Sequence, residues 1–355
     1  MKVKELQAIL QKKRVDCALF YCVDFENVEK NIIYFSCYGG MGALVIPKNK
    51  KPFLVVPKME EVKARDSNIK VVVWDKEKRL FAQIKCILRK QGVKIKKIGI
   101  DKTAVALTGY TELKKQFKAH FVDIFKECSA LRTIKTQEEI SIIQRGCKIS
   151  DEIIGACIER FTKFKTETEV KAFLEYEANK RGCGLAFPTI VASGRNAAKP
   201  HHVSQNATLQ KGFCVIDFGI RYKNYCTDTT RTIYLGKISE SERKLYEFVL
   251  GVQEKLLREA RAGKKCSELY NNAKRMLGKY APYFTHGLGH GFGIKIHELP
   301  NLTDKSKEAL REGMVVTIEP GIYLNNQGIR IEDDILIQKD PLLLTTYPKK
   351  LQVIP

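Results

Sequence analysis

Three of the six histidines in this 355-residue chain, His286, His290 and His297, fall within THGLGHGFGIKIHE. Four carboxylates stand in equally unusual settings: Asp217 and Asp228 in VIDFGIRYKNYCTDTTRT, and Glu319 and Glu332 in TIEPGIYLNNQGIRIEDDILI. Each is flanked by β-branched or apolar residues, as in a strand interior, where an isolated charge is costly or neutralises itself. Both segments read as hairpins, turning at RYKN and NNQG, with the acids on facing strands, eleven and thirteen residues apart. That similarity suggests two related halves folded against one another. Four converging carboxylates require cations, and one imidazole adds the nitrogen that transition metals prefer. Two ions about 3.5–4 Å apart can share an activated water and polarise a carbonyl, which is hydrolytic chemistry. The adjacent acids Asp333 and Asp334 read as strand-edge or turn residues facing water.

His286 and His290 have the HxxxH spacing that puts two imidazoles on one helix face in zincins. Gly287, Gly289, Gly291 and Gly293, at about 1 kcal/mol each, argue against a helix. No glutamate follows the first histidine. The run therefore reads as a glycine loop whose backbone can approach a substrate closely while a single imidazole projects into the site.

The elements that must position these groups fall into two parts. Residues 1–128 alternate helical and strand patterns, among them CALFYC, ALVIP, PFLVVP, KVVVW and KIGID, and predict a mixed α/β domain with a central sheet. It holds no glycine-rich phosphate loop, and its His120 reads as structural. Residues 129–355 predict an α+β domain. Two helical segments run to Lys180, with Thr136–Glu139 and Thr166–Glu169 both spaced as capping boxes. Strands, helices to about residue 280 and the second acidic hairpin follow.

Eleven cysteines are scattered without a CxxC pair, so they read as free thiols in a reducing compartment and not as a zinc or disulfide framework. No apolar run approaches the length of a membrane span, and MKVKELQAILQKKRVD reads as an amphipathic helix, not a signal peptide. The cytoplasm is the expected location. The net charge of +22 is spread along the chain, with 27 basic against 14 acidic residues in 1–130 and 35 against 26 beyond. The lysine clusters lack interleaved aromatics, so a solvated basic surface is expected and a nucleic-acid partner is not.

Taken together, DFG with an Asp eleven residues after its own, HGLGHGFGIKIHE, EPGIY and RIEDD resemble the pita-bread metallopeptidases: Xaa-Pro aminopeptidase, Xaa-Pro dipeptidase (prolidase) and, more distantly, methionine aminopeptidase. The match is strong over 135–355; the N-terminal part is similar to the creatinase-type domain of the proline-specific members. The resemblance implies a dinuclear centre of two divalent ions (Mn, Co, Fe or Zn) with a bridging hydroxide, held by Asp217, Asp228, His290, Glu319 and Glu332. Asp228 and Glu332 would bridge, and Glu319 would also shuttle a proton. It implies that His201, or the adjacent His202, and His297 orient the substrate and stabilise its oxyanion. It implies further that His286 lines the cleft, that Arg330 faces substrate or a ligand carboxylate, and that Thr230 steadies a ligand. Alternatives for single residues are an exposed loop position for His201, a turn cap for His297 and a pure ion-pair role for Arg330. The implied substrate is a peptide with proline at the second position, cut by a homodimer, as a dipeptidase or an aminopeptidase. Methionine-aminopeptidase-like activity or an inactive binding module are the alternatives.

Overall fold

The computed structural model describes residues 2–23, 28–75 and 77–355. The chain divides into two compact units, Met1–Arg132 and Thr133–Pro355.

In the first unit, three apolar runs form β1 (Cys17–Cys22), β2 (Gly42–Pro47) and β3 (Phe53–Val56), buried almost throughout, as strands covered on both faces must be. With β4 (Lys70–Val73), β5 (Lys97–Ile100) and β6 (His120–Asp123) they make a mixed sheet of order β4-β3-β2-β1-β5-β6. Helices α1 (Lys2–Lys12), α2 (Lys30–Ser36), α3 (Glu61–Ala64), α4 (Leu80–Lys90), α5 (Leu107–Gln116) and α6 (Phe125–Thr133) surround it. Leu80, Ile84 and Leu88, four residues apart, put one stripe of α4 into the core. His120 lies exposed at the start of β6.

The second unit opens with α7 (Gln137–Glu159). Thr136 Oγ1 accepts the Glu139 N–H, and the Glu139 carboxylate accepts the Thr136 N–H, a reciprocal cap worth about 1 kcal/mol. The second box expected from the sequence forms only by half at α8 (Glu167–Lys180). Thr166 Oγ1 accepts the Glu169 N–H, but the Glu169 carboxylate takes the Lys165 N–H instead. Strands β7 (Gly184–Leu185), β8 (Ile190–Ser193), β9 (Gly212–Phe218), β10 (Ile220–Tyr222), β11 (Tyr225–Cys226) and β12 (Thr229–Leu235) follow. Next come α9 (Glu240–Glu259) and α10 (Cys266–Leu277). The chain closes with β13 (Gly289–Gly291), β14 (Glu298–Leu302), β15 (Val315–Ile318), β16 (Gly321–Leu324), β17 (Gln327–Arg330), β18 (Asp333–Leu336), β19 (Leu342–Leu343) and β20 (Val353–Ile354).

Two sheets carry the acids, β20-β12-β9-β8 and β14-β13-β15-β18-β19. Helices α7 and α8 pack on the first through Ile153, Cys157, Val170 and Leu174, and α9 and α10 join the core of the second through Val249, Leu256 and Leu269. Each helix pair thus buries one sheet face and leaves the other for the groups between them. Nine of the eleven cysteines are buried. Among the described residues no helix is long and apolar enough to cross a membrane.

Candidate functional site

Three of the four acids, Asp228, Glu319 and Glu332, sit where strands break; Asp217 alone lies within one. In the first hairpin Asp217, near the end of β9, is paired with Thr230 of β12, while Asp228 lies in the two-residue link between β11 and β12. In the second, β15 pairs with β18 and β16 with β17, and Glu319 and Glu332 occupy the gaps between these ladders. The pairs Ile318↔Asp333 and Gly321↔Arg330 keep one register, so Glu319 stands directly opposite Glu332. The eleven- and thirteen-residue spacings are thus a diagonal pair and a directly opposed pair.

These groups meet around a cavity of about 530 Å³, whose lining includes Asp217, Asp228, His290, Glu319, Glu332 and His201. Ligand atoms of Asp228, His290 and Glu332 all lie within 4.8 Å of one another. His290 Nε2 is 3.6 Å from Asp228 Oδ2 and 3.7 Å from Glu319 Oε1. Its Nδ1 is 3.2 Å from the Gly291 carbonyl, which can only accept, so Nδ1 carries the proton and Nε2 is left as a lone-pair donor. Burial, then the neighbouring His297, pushes His290 down to about 3, keeping it neutral. On the acids, burial and mutual repulsion both act upward. Burial raises Asp228 well above the usual range, with Glu332 and Asp217 adding to it; burial raises Glu332 likewise, with Glu319 and Asp217 adding. Burial takes Glu319 up to about 7.

The donor set fits divalent metal. Asp217 Oδ1 is buried without a hydrogen-bond partner, the imidazole offers a neutral nitrogen, and four clustered carboxylates have one guanidinium among them. That guanidinium is Arg330, whose Nη2 donates to Asp217 Oδ2 at 2.7 Å, Nε to Thr230 Oγ1, and Nη1 to Tyr323 Oη and the Pro200 carbonyl. Burial works against its charge, but Tyr323, Asp217 and Glu319 outweigh it and hold the group protonated. Thr230 Oγ1 in turn donates to Glu332 Oε2 at 2.7 Å. Thr317 Oγ1 accepts the His290 N–H and donates to Glu319 Oε1, tying the imidazole strand to a carboxylate.

The glycine loop differs from its sequence reading. His290 lies in β13, and its flanking glycines answer to neighbouring strands, not to a substrate. A Cβ on Gly289 would sit 2.0 Å from the Thr317 carbonyl oxygen, and one on Gly291 would sit 2.2 Å from that of Leu299. The other histidines separate by environment. His201 and His297 are exposed and line the cavity, the His297 ring 4.3 Å from that of His290. His202 is buried, with Nε2 2.7 Å from Glu167 Oε2. His286 also lines the cavity, but both its nitrogens are engaged: Nδ1–H donates to the Gly287 carbonyl and Nε2 accepts from Tyr323 Oη. Burial lowers it to about 4. His286 and Arg330 therefore form wall and brace, with their polar atoms already occupied by protein.

Asp333 and Asp334 overturn their sequence reading as water-facing residues. Both are fully buried in β18. Asp333 accepts from Arg231, Gln253, Thr345 and Lys349; burial raises it, but Arg231 and Lys349 outweigh that and hold it below the usual range. Asp334 Oδ2 accepts the Asp228 N–H at 2.9 Å and the Cys147 thiol, fixing the backbone that carries Asp228.

Sequence reading also missed Glu167, the first residue of α8. Its carboxylate accepts from the Ser193 N–H and hydroxyl, Asn196 Nδ2, His202 Nε2 and the Gln205 N–H, clasping the segment that bears His201. Burial would raise it, but these bonds outweigh burial and hold it low.

Residues 141–339 match metallopeptidase family M24, and residues 2–134 match the creatinase/prolidase N-terminal domain. The chain is 35% identical over 347 residues to the Xaa-Pro dipeptidase of Pyrococcus horikoshii, covering 96% of this chain and 95% of that one. Among solved structures, the Xaa-Pro dipeptidase from Bacillus anthracis superposes with a TM-score of 0.91 at 29% identity, covering 99% of both chains. The X-Pro aminopeptidase from Thermotoga maritima does so with 0.88 at 30%, covering 97% of this chain and 100% of its own.

Proposed function

The chain belongs to metallopeptidase family M24, and from that membership we propose that it is a metal-dependent exopeptidase that cuts the bond preceding a proline at the second position of its substrate. The observation that carries this reading is the convergence of Asp228, His290 and Glu332 within 4.8 Å, with Asp217 and Glu319 on the same cavity. On this reading Asp217, Asp228, His290, Glu319 and Glu332 hold two divalent ions, Mn, Co, Fe or Zn. Such ions supply a Lewis acid for the scissile carbonyl and lower the pKa of water towards neutrality.

The protein's own groups do the rest. Glu319 takes and returns the proton that moves from water to the leaving nitrogen. His201 and His297 donate N–H to the oxygen that gains charge, a task worth about 2.7–4 kcal/mol by analogy with other oxyanion donors. His286 and Arg330 brace Tyr323 and Asp217 and so shape the cleft. An Xaa-Pro bond is a tertiary amide without an N–H, so a site that grips only the carbonyl and the free amino terminus loses nothing when proline follows. The relatives named Xaa-Pro dipeptidase and X-Pro aminopeptidase support the proline preference. The proposal extends to residues 1–128 as a creatinase-type domain, 129–355 as the catalytic one, and a cytoplasmic homodimer, the last tested by light scattering.

The deciding experiment compares Ala-Pro and Met-Ala-Ala as substrates, with and without added Mn²⁺ or Co²⁺. Ala-Pro cleavage that chelation abolishes is the expected result. Cleavage of Met-Ala-Ala alone would mean methionine removal, and neither bound metal nor cleavage would mean an inactive binding module.

A further inference from the structure

Helix α8 contributes one residue, Lys171, to the cavity lining. Glu167 clasps the segment bearing His201 and His202, and Lys171 stands one turn further along, on the same helix face because residues four apart overlie one another. Lys171 lines the cavity with His201 and the apolar Phe187, Pro188 and Val203. Its side chain is 28% exposed, and its ion pair with Glu175 spans 3.9 Å, a surface contact that holds the amine weakly. The guanidinium of Arg330, by contrast, is committed to Asp217, Thr230, Tyr323 and Pro200. Lys171 therefore brings to the cavity a positive charge available to a ligand.

Resting on the reading above, we propose that Lys171 receives the free α-carboxylate of a substrate whose second residue is its last, which makes this protein a dipeptidase. A dipeptide carries its carboxylate into the cavity along with the bond to be cut. In a longer peptide a neutral amide replaces that charge. An ammonium on a flexible four-carbon stem suits a carboxylate as a point charge that needs no fixed fork geometry.

The test measures kcat/KM for Ala-Pro and for Ala-Pro-amide, which differ only in that charge, on the metal-loaded protein. The wild type should favour Ala-Pro by on the order of tenfold, the worth of one charge-assisted hydrogen bond. Lys171→Met should bring the ratio towards one through KM, and Lys171→Arg should restore it. KM for Ala-Pro should rise with ionic strength in the wild type and much less in Lys171→Met, a dependence that a merely structural lysine would not produce. A wild type indifferent to the amide, or a Lys171→Met variant with the wild-type ratio, overturns the assignment of Lys171 and leaves Xaa-Pro cleavage standing. Failure of the wild type to cut either substrate overturns both.

Discussion

In the first acidic hairpin Asp217 faces Thr230 and Asp228 lies two positions nearer the turn; in the second, Glu319 faces Glu332 and the position two nearer the turn holds Arg330. The two hairpins correspond residue for residue, and corresponding side chains touch across the site: Thr230 donates to Glu332 and Arg231 to Asp333, each pair 102 residues apart. Identical halves would present three acids each, six negative charges around one cavity. Replacing one acid by a hydroxyl and another by a guanidinium leaves four. The hydroxyl orients Glu332, and the guanidinium offsets Asp217, the acid opposite the hydroxyl. Asymmetry within a symmetric scaffold thus keeps enough carboxylates to bind cations while limiting the repulsion that metal-free protein must bear.

The largest effect should come from an acid that has no counterpart. Asp228→Asn removes the carboxylate whose place in the other half is taken by Arg330, so bound metal and Ala-Pro turnover should fall to background by elemental analysis and assay. Full activity would remove Asp228 from the site. Arg330→Met leaves Asp217 buried without its counter-charge, which should destabilise metal-free protein by about 3 kcal/mol in denaturant unfolding. The loss should shrink when metal is present, and equal losses in both states would show that Arg330 is simply packing. Thr230→Val keeps the shape but drops the bond to Glu332. Metal affinity should weaken by about 10–100-fold, as for other groups that orient ligands, with the fold intact. An unchanged affinity would make the two hairpins independent.

The smallest effect is expected at Glu167, outside both hairpins. Glu167→Gln should raise KM for Ala-Pro a few-fold with metal content preserved, and Glu167→Asp should recover part of the loss. Lost metal with unaltered KM would contradict a role in holding the His201 segment. Glu167 is held below its ordinary pKa, so the unfolded chain takes up its proton first as pH falls. The stability it contributes is present above the ordinary glutamate range and disappears as pH drops through the lowered value. That portion of the acid limb should flatten in Glu167→Gln.

Much of the site is legible in the chain because its chemistry is local: an acid inside an apolar strand pattern is anomalous at Asp217 or Glu319 whatever lies elsewhere. The family resemblance then supplied the order of the five candidate ligands, and the structure brings them to one cavity. The fold class was legible for a similar reason, since long apolar runs such as CALFYC and the box at Thr136 carry their own periodicity and caps. What stayed hidden depends on partners distant in sequence. Glu167 sits in TETE, a run that reads as an exposed helix start, and its five donors come from residues 193–205. Asp333 and Asp334 look like a solvated pair until the first hairpin brings Arg231 and the Asp228 N–H to them and the C-terminal segment brings Lys349. The glycines around His290 stand out in the sequence, but the carbonyls of Thr317 and Leu299 that exclude a Cβ belong to other strands.

The most direct test is anomalous diffraction at the manganese edge from crystals grown with Mn²⁺. Two peaks among the side chains of Asp217, Asp228, His290, Glu319 and Glu332 are predicted. Density for manganese elsewhere only, with those five side chains ordered around solvent, would contradict the account.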